Sequence, residues 1–369
     1  MKIGLLGCDE QILAIATAAV EAGHTLSPAY DAPSDLPSSL SGIDRQPREQ
    51  WQGLLEEDLC DAILVGVDGW NEQRAEQVRT LVQGGRRLLI GHPASLSMLW
   101  AYELDMILAD STAIVIPALA ARQHPIIQSL KTLIEQSIAG IGPLGPIESL
   151  QFERRQPTRD QNSVLANFAR DADIIRVLVG DPPRLMALGG GDAGWATLAV
   201  GLSGPDQVSV RWHVSKGKTS ELSIQLLCEH GTVCIDIPPK ACGTWKVTYT
   251  SELEGVDPLL NFPSETPDFD PAHVLLARLL QTTGGTSEIS SEKLIPPATW
   301  PDAARTIELA ETIPRSVKRG RGIDLHQEEF SELGTFRGTM ASLGCGIIMA
   351  GLFLVFVAKV VQATEALHS

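Results

Sequence analysis

The turn near the N-terminus carries residues whose spacing suits cofactor binding. Gly7, Asp9 and Ile12 occupy the three glycine positions of the pattern G-x-G-x-x-G, between a short apolar run and a helical pattern. In dinucleotide-binding proteins the first glycine makes the tight turn, the second admits the pyrophosphate, and the third lets the helix pack closely on the strand. Only the first glycine is present here, so the pattern indicates an altered dinucleotide-binding turn.

Two acidic residues near this turn bear on cofactor chemistry. Asp9 has two interpretations: its carboxylate would repel a phosphate, by about 1 kcal/mol at about 4 Å in water, or it caps the following helix, a role that aspartate suits. Asp31 ends the second strand pattern, where an acidic residue commonly binds the ribose hydroxyls of NAD. The cofactor-binding candidates are therefore Gly7, Asp9, Ile12 and Asp31.

The elements that position these residues alternate between strands and helices. Over the first 120 residues, apolar runs such as "IGLL" and "DAILVGV" alternate with helical patterns, which predicts parallel βαβ units. From about residue 146, strands with alternating apolar and polar residues indicate a sheet with one open face. We predict an α/β protein with a Rossmann-like parallel-sheet domain over 1–120 and an α+β domain with an open antiparallel sheet over 121–325.

Four stretches resemble the glucose-fructose oxidoreductase / inositol dehydrogenase / MocA (Gfo/Idh/MocA) family. They are Asp61–Pro93, Ala121–Phe152, Leu165–Leu188 and Asp302–Leu325. With the N-terminal turn they extend the resemblance over roughly residues 1–325. The resemblance implies a nicotinamide cofactor, NAD or NADP, and oxidation or reduction at a carbon of a sugar or a cyclitol.

The resemblance also assigns catalytic positions. The family's E-K-P signature matches "GHP", so His92 stands in the place of the lysine, and the family's histidine base matches Arg170. Arginine stays protonated near neutral pH and cannot accept a proton, whereas His92 could supply a titratable group or be structural. Asp173 matches the family's aspartate. Arg170 either pairs with Asp173 at i, i+3 on a helix or binds an anionic ligand.

The C-terminal region predicts a membrane anchor. Gly338–Ala358 contains no charged residue and would span roughly 31 Å as a helix, close to the thickness of a bilayer core. A buried core helix is the alternative. The upstream excess of basic residues places the N-terminal domains in the cytoplasm. We expect a linker over 326–337, one transmembrane helix over 338–358 in contact with the lipid bilayer, and a short tail over 359–369.

Composition narrows the classes of partner. The formal net charge of -16 argues against nucleic acid, and six cysteines without paired spacing argue against a metal site. Three hypotheses remain: a pseudo-oxidoreductase with a binding or scaffolding role, an active NAD(P)-dependent oxidoreductase with a reworked site, and an assembly role of the anchor. A small anionic or sugar ligand and a homo-oligomer are compatible with the first two.

Overall fold

The computed structural model describes residues 1–33, 36–40, 43–189, 194–253, 262–263, 268–282 and 295–325. Met1–Ile323 form one compact unit. The second unit, Asp324–Ser369, is described only at Asp324 and Leu325. The predicted linker, transmembrane helix and tail therefore lie outside the described residues.

The first sheet is parallel, which confirms the predicted Rossmann-like domain. Its strand order is β3-β2-β1-β4-β5-β6, and every pairing in it is parallel. Strands such as β4 are buried along their whole length, because helices cover both faces of such a sheet. The elements are β1 Lys2–Leu6, α1 Glu10–Glu21, β2 Thr25–Tyr30, β3 Arg45–Gln46, β4 Ala62–Val65, α2 Glu72–Gln83, β5 Arg87–Ile90, α3 Met98–Ala109 and β6 Ile114–Pro117.

The second sheet is mixed, so the prediction of an antiparallel sheet is wrong in one respect. Strand β10 runs parallel to β7, while the other long neighbours are antiparallel. The longer strands have the order β13-β12-β11-β7-β10-β9-β8. The elements are α4 Pro125–Ile138, β7 Ile147–Gln156, α5 Gln161–Val179, β8 Arg184–Leu188, β9 Ala199–Ser203, β10 Ser209–Lys216, β11 Glu221–Cys228, β12 Gly231–Ile237, β13 Lys246–Ser251, α6 Pro271–Gln281, α7 Trp300–Arg319 and β14 Ile323–Asp324.

Alternation along the strands gives this second sheet one covered face. Buried and exposed residues alternate strictly along β8, and Trp212 of β10 is fully buried. Its ring meets the ring of Phe168 from α5 edge to face, with centroids 5.1 Å apart. Helix α5 therefore lies on the covered face and carries residues 167–173 toward the first sheet.

None of the helices in the described parts of the chain is both long enough and apolar enough to cross a membrane. The longest of them, α7, carries charged residues along much of its length. The predicted span over 338–358 is not among the helices to which this finding applies.

Candidate functional site

Asp9 is the N-cap of α1. Its backbone is extended, and its Oδ1 accepts a hydrogen bond from the backbone N–H of Ile12 at 2.8 Å. Its Oδ2 accepts a second one from the backbone N–H of Val67, just after β4, at 2.9 Å. The capping interpretation is thus confirmed, and the carboxylate also ties the first turn of α1 to the end of β4. A helix N-terminus favours an anion, and here the Asp9 carboxylate already supplies it.

Gly91 makes room for that carboxylate. A methyl group added at Gly91 would lie 2.4 Å from Asp9 Oδ2 and 3.0 Å from a methyl carbon of Val67. Any side chain at position 91 would therefore displace Asp9. The position of the Asp9 carboxylate therefore depends on a glycine at position 91.

Asp31 is engaged by Arg74, a residue that the sequence did not single out. Arg74 is 2% exposed, and its Nη2 donates to Asp31 Oδ2. Its Nη1 donates to the backbone carbonyls of Gly66, at 2.9 Å, and Leu6, at 3.2 Å. One sequence signal could have identified Arg74 as a site residue. It lies four residues before Val78, on the buried face of α2, and a buried arginine needs buried acceptors.

The other two positions of the turn have structural surroundings. Gly7 has a positive φ of 67°, a conformation that suits glycine, and it follows β1 as the pattern predicts. Ile12, in the place of the third glycine, is fully buried in the core. The dinucleotide-binding pattern has a glycine at this position so that the helix can pack closely on the strand. Here an isoleucine side chain occupies the position instead.

His92 is a buried, neutral residue. It is 1% exposed, and its Nε2 lies 2.9 Å from the hydroxyl oxygen of Thr306 in α7. Burial, together with the positive charge of Arg170, lowers the pKa of His92 to about 3. A histidine in this state does not take up a proton near neutral pH, so it is poorly suited to replace the missing base.

Arg170 turns toward His92 rather than toward Asp173. Its Nε donates to the backbone carbonyl of His92 at 2.8 Å, and its Nη1 donates to the side-chain oxygen of Asn167 at 3.2 Å. The predicted ion pair with Asp173 at i, i+3 is therefore wrong. The physical reason is that the Asp173 side chain is buried in the core, whereas the Arg170 side chain extends to the backbone of His92, just after β5 of the first sheet.

Asp173 has a different basic partner. It is 1% exposed and accepts two hydrogen bonds from Arg122, one of them from Nε at 2.9 Å. Nη1 of the same arginine donates to Asp302 at 3.1 Å. This bidentate pair joins the segment entering the second sheet to α5 and α7, which is a structural arrangement.

Charged side chains gather around the first turn of α1. Burial and the negative charges of Asp9 and Glu10 raise the pKa of Asp68, which follows β4. Glu10 itself pairs with Lys240, with Oε1 and Nζ 2.5 Å apart and both side chains well exposed. Lys240 has a positive φ of 59° in the loop after β12, and this loop reaches the first turn of α1. Asp9, Glu10 and Asp68 thus lie near the turn where a pyrophosphate would lie, and the cations Arg170 and Lys240 lie beside them.

Comparison with known proteins identifies the fold. No protein-family model matches the sequence, and no curated protein matches it. Solved structures do match: the WlbA dehydrogenase from Bordetella pertussis, with NADH and UDP-GlcNAcA, is 16% identical with a TM-score of 0.66, covering 88% of this chain and 97% of that one. A levoglucosan dehydrogenase with NADH and L-sorbose is 13% identical with a TM-score of 0.64, covering 88% and 98%.

A third match is an oxidoreductase from Agrobacterium radiobacter with NAD+, L-tartaric acid and magnesium. It is 16% identical with a TM-score of 0.60, covering 89% of this chain and 99% of that one. Identities this low establish the fold alone. The chain has the fold of the Gfo/Idh/MocA-type oxidoreductases, a dinucleotide-binding fold, as the sequence resemblance implied.

The residues at the predicted dinucleotide-binding turn fit NAD or NADP poorly. Asp9 fills the N-terminus of α1, and Arg74 covers Gly7 and Asp31. His92, Arg170 and Asp173, the three positions that the resemblance assigns to catalysis, are joined into the framework by hydrogen bonds. The structure brings His92 and Arg170 together and directs Asp173 elsewhere.

Proposed function

We propose that this chain is a membrane-anchored pseudo-oxidoreductase, in which the oxidoreductase fold serves binding or scaffolding. The observation that carries the proposal is the seating of the Asp9 carboxylate over Gly91, with hydrogen bonds from Ile12 and Val67. A pyrophosphate at this turn would meet a fixed negative charge. At about 4 Å the repulsion is about 1 kcal/mol in water and about 4 kcal/mol near a protein surface.

The chemistry of the catalytic positions supports the same proposal. General acid–base catalysis contributes roughly 10²–10⁴-fold to a rate. Arg170 cannot accept a proton, and burial keeps His92 neutral with a pKa of about 3. Neither residue is suited to accept the proton that leaves a sugar hydroxyl during hydride transfer.

Calorimetric titration of the full chain with NAD(H) and NADP(H) tests this part of the proposal. We expect no binding below millimolar concentrations and no hydride transfer with a panel of sugars and cyclitols. The alternative function, an active NAD(P)-dependent oxidoreductase with a reworked site, requires micromolar binding with turnover. In that case His92→Ala should abolish the turnover, and Thr306→Val should alter it.

The membrane anchor in this proposal is argued from the amino-acid sequence. The uncharged segment 338–358 and the basic residues before it support a single C-terminal span with the folded unit in the cytoplasm. Deleting 338–369 should release the protein into the soluble fraction. Replacing 338–358 by a polyleucine segment should keep it in the membrane, which controls for the loss of chain length. Retention after the deletion would contradict the anchor.

The ligand and the assembly state are proposed by class only. Arg170, which lies beside His92 and near Asp9, supports a small anionic or sugar ligand, and the open face of the second sheet supports a homo-oligomer. Light scattering of the full chain in detergent, before and after Met186→Glu on that open face, tests the homo-oligomer. An unchanged mass above that of one chain would place the contact elsewhere.

A further inference from the structure

The side chain of Arg74 lies in the crevice at the switch point of the first sheet. In the order β3-β2-β1-β4-β5-β6, the direction of winding reverses between β1 and β4. Open α/β sheets bind ligands just outside the carboxyl ends of the strands at such a point. Leu6 ends β1 and Gly66 directly follows β4, and the carbonyl groups of both accept hydrogen bonds from Arg74 Nη1.

The guanidinium group also covers the turn at Gly7. A methyl group added at Gly7 would lie 1.8 Å from Arg74 Nη1 and 2.6 Å from its guanidinium carbon. A side chain at position 7 would therefore displace the Arg74 guanidinium. Asp31, at the end of β2, faces the same group and accepts from Nη2. One guanidinium thus engages the ends of β1, β2 and β4.

One of the acceptors that Arg74 engages, the Asp31 carboxylate, is of the kind that binds a ribose. A ribose presents two neighbouring hydroxyl donors, and a carboxylate at the end of the second strand accepts them in dinucleotide-binding folds. A guanidinium presents paired N–H donors in a similar fork. Arg74 Nη2 therefore supplies from within the chain a donor to Asp31 of the kind that a ribose hydroxyl would bring from outside.

We propose that Arg74 is a built-in occupant of the adenosine half of the crevice, and that it excludes nucleosides from the fold. This inference goes beyond the proposed function, because Asp9 acts on the pyrophosphate whereas Arg74 acts on the nucleoside. It also predicts that removing the guanidinium turns the crevice into an adenosine-binding site. The Asp31 carboxylate, no longer bonded to Arg74, would then accept from the ribose hydroxyls.

Adenosine is the probe that isolates this residue, since it carries no phosphate for Asp9 to repel. Adenosine binding to the full chain is measured by calorimetry for the wild type, Arg74→Ala, and Arg79→Ala. The last is a matched control, because Arg79 lies on the same helix and pairs with Glu72, Glu76 and Glu103 away from the crevice. We expect Arg74→Ala to bind adenosine at least tenfold more tightly than the wild type, and Arg79→Ala to match the wild type.

Two further variants keep the test decisive. Adding Asp31→Asn to Arg74→Ala should remove most of the gain, because an amide is a weaker acceptor for the ribose. If Arg74→Ala does not fold, Arg74→Met retains the aliphatic part of the side chain and is measured instead. Recovery of folding by millimolar adenosine would support the proposal.

The proposal is overturned if folded Arg74→Ala or Arg74→Met binds adenosine no better than the wild type. It is also overturned if neither variant folds with or without adenosine. Failure of the adenosine test alone would leave the proposed function standing, whereas micromolar NADH binding with turnover by the wild type would overturn both the proposed function and this inference. The two failures are therefore distinguishable.

Discussion

Replacing Asp173 by asparagine should lower the free energy of unfolding, because the aspartate neutralises the buried Arg122. Arg122 is 3% exposed and Asp173 is 1% exposed, and two hydrogen bonds join them. The resemblance to oxidoreductases assigns Asp173 to the catalytic site. The structure assigns it to the framework, so stability is the quantity that should change.

The expected loss follows from the burial of the pair. Removing one partner of a buried ion pair costs about 3–5 kcal/mol, since the remaining charge stays buried without compensation. Here Arg122 Nη1 keeps its hydrogen bond to Asp302 at 3.1 Å, which retains part of the compensation. We therefore expect a loss near the lower limit, about 3 kcal/mol in the free energy of unfolding.

The assay is urea unfolding of the full chain, followed by tryptophan fluorescence. Glu76→Gln serves as the control, because it breaks an i,i+3 pair with Arg79 at the surface, where such pairs contribute about 0–1 kcal/mol. The double variant Arg122→Met/Asp173→Leu should be less destabilised than Asp173→Asn, since apolar groups that replace both partners leave no buried charge.

A loss below about 1 kcal/mol for Asp173→Asn would refute the structural role of this residue. So would additive effects of the single substitutions Arg122→Met and Asp173→Leu in the double variant, because partners in direct contact should be coupled. Unchanged stability combined with the loss of a measurable hydride transfer would return Asp173 to catalysis.

Three further predictions concern His92, Gly91 and Lys240. The free energy of unfolding should fall as the pH drops below about 6.5, because His92 takes up a proton in the unfolded chain but, with a folded pKa of about 3, not in the folded one. At pH 5 this costs up to about 2 kcal/mol, and His92→Asn should reduce the difference in urea midpoint between pH 7 and pH 5. Gly91→Ala should destabilise by about 1–3 kcal/mol, and less in an Asp9→Ser background, as thermal unfolding of the four proteins would show; equal losses would contradict the contact. Lys240→Ala should cost at most about 1 kcal/mol, and less in high salt, which salt-dependent urea curves would check; a larger, salt-independent loss would contradict it.

The fold followed from patterns that depend on local physical chemistry. Apolar runs alternating with helical periodicity predicted the parallel sheet, since strands covered on both faces must be apolar throughout. The open second sheet was predicted from alternation along its strands. The direction of β10 relative to β7 was not, because a parallel and an antiparallel strand with one buried face carry the same alternation.

The site was predicted in part. The capping role of Asp9 could be read from its place before an apolar helical pattern, and the structure confirms it. Gly91 as the counterpart of Asp9, and Arg74 as the partner of Asp31, depend on contacts between residues that are far apart in the sequence. The partner of Asp173 could not be predicted for the same reason, since Arg122 precedes it by 51 residues.

In our proposal this oxidoreductase fold does not accept the dinucleotide. Calorimetric titration of the full wild-type chain with NADH at pH 7 and moderate salt tests this directly. We expect no binding heat up to millimolar NADH, because in the proposal Asp9 and Arg74 hold the places of the pyrophosphate and the ribose. Saturable binding with a micromolar Kd, accompanied by transfer of the hydride to a sugar substrate, would contradict it.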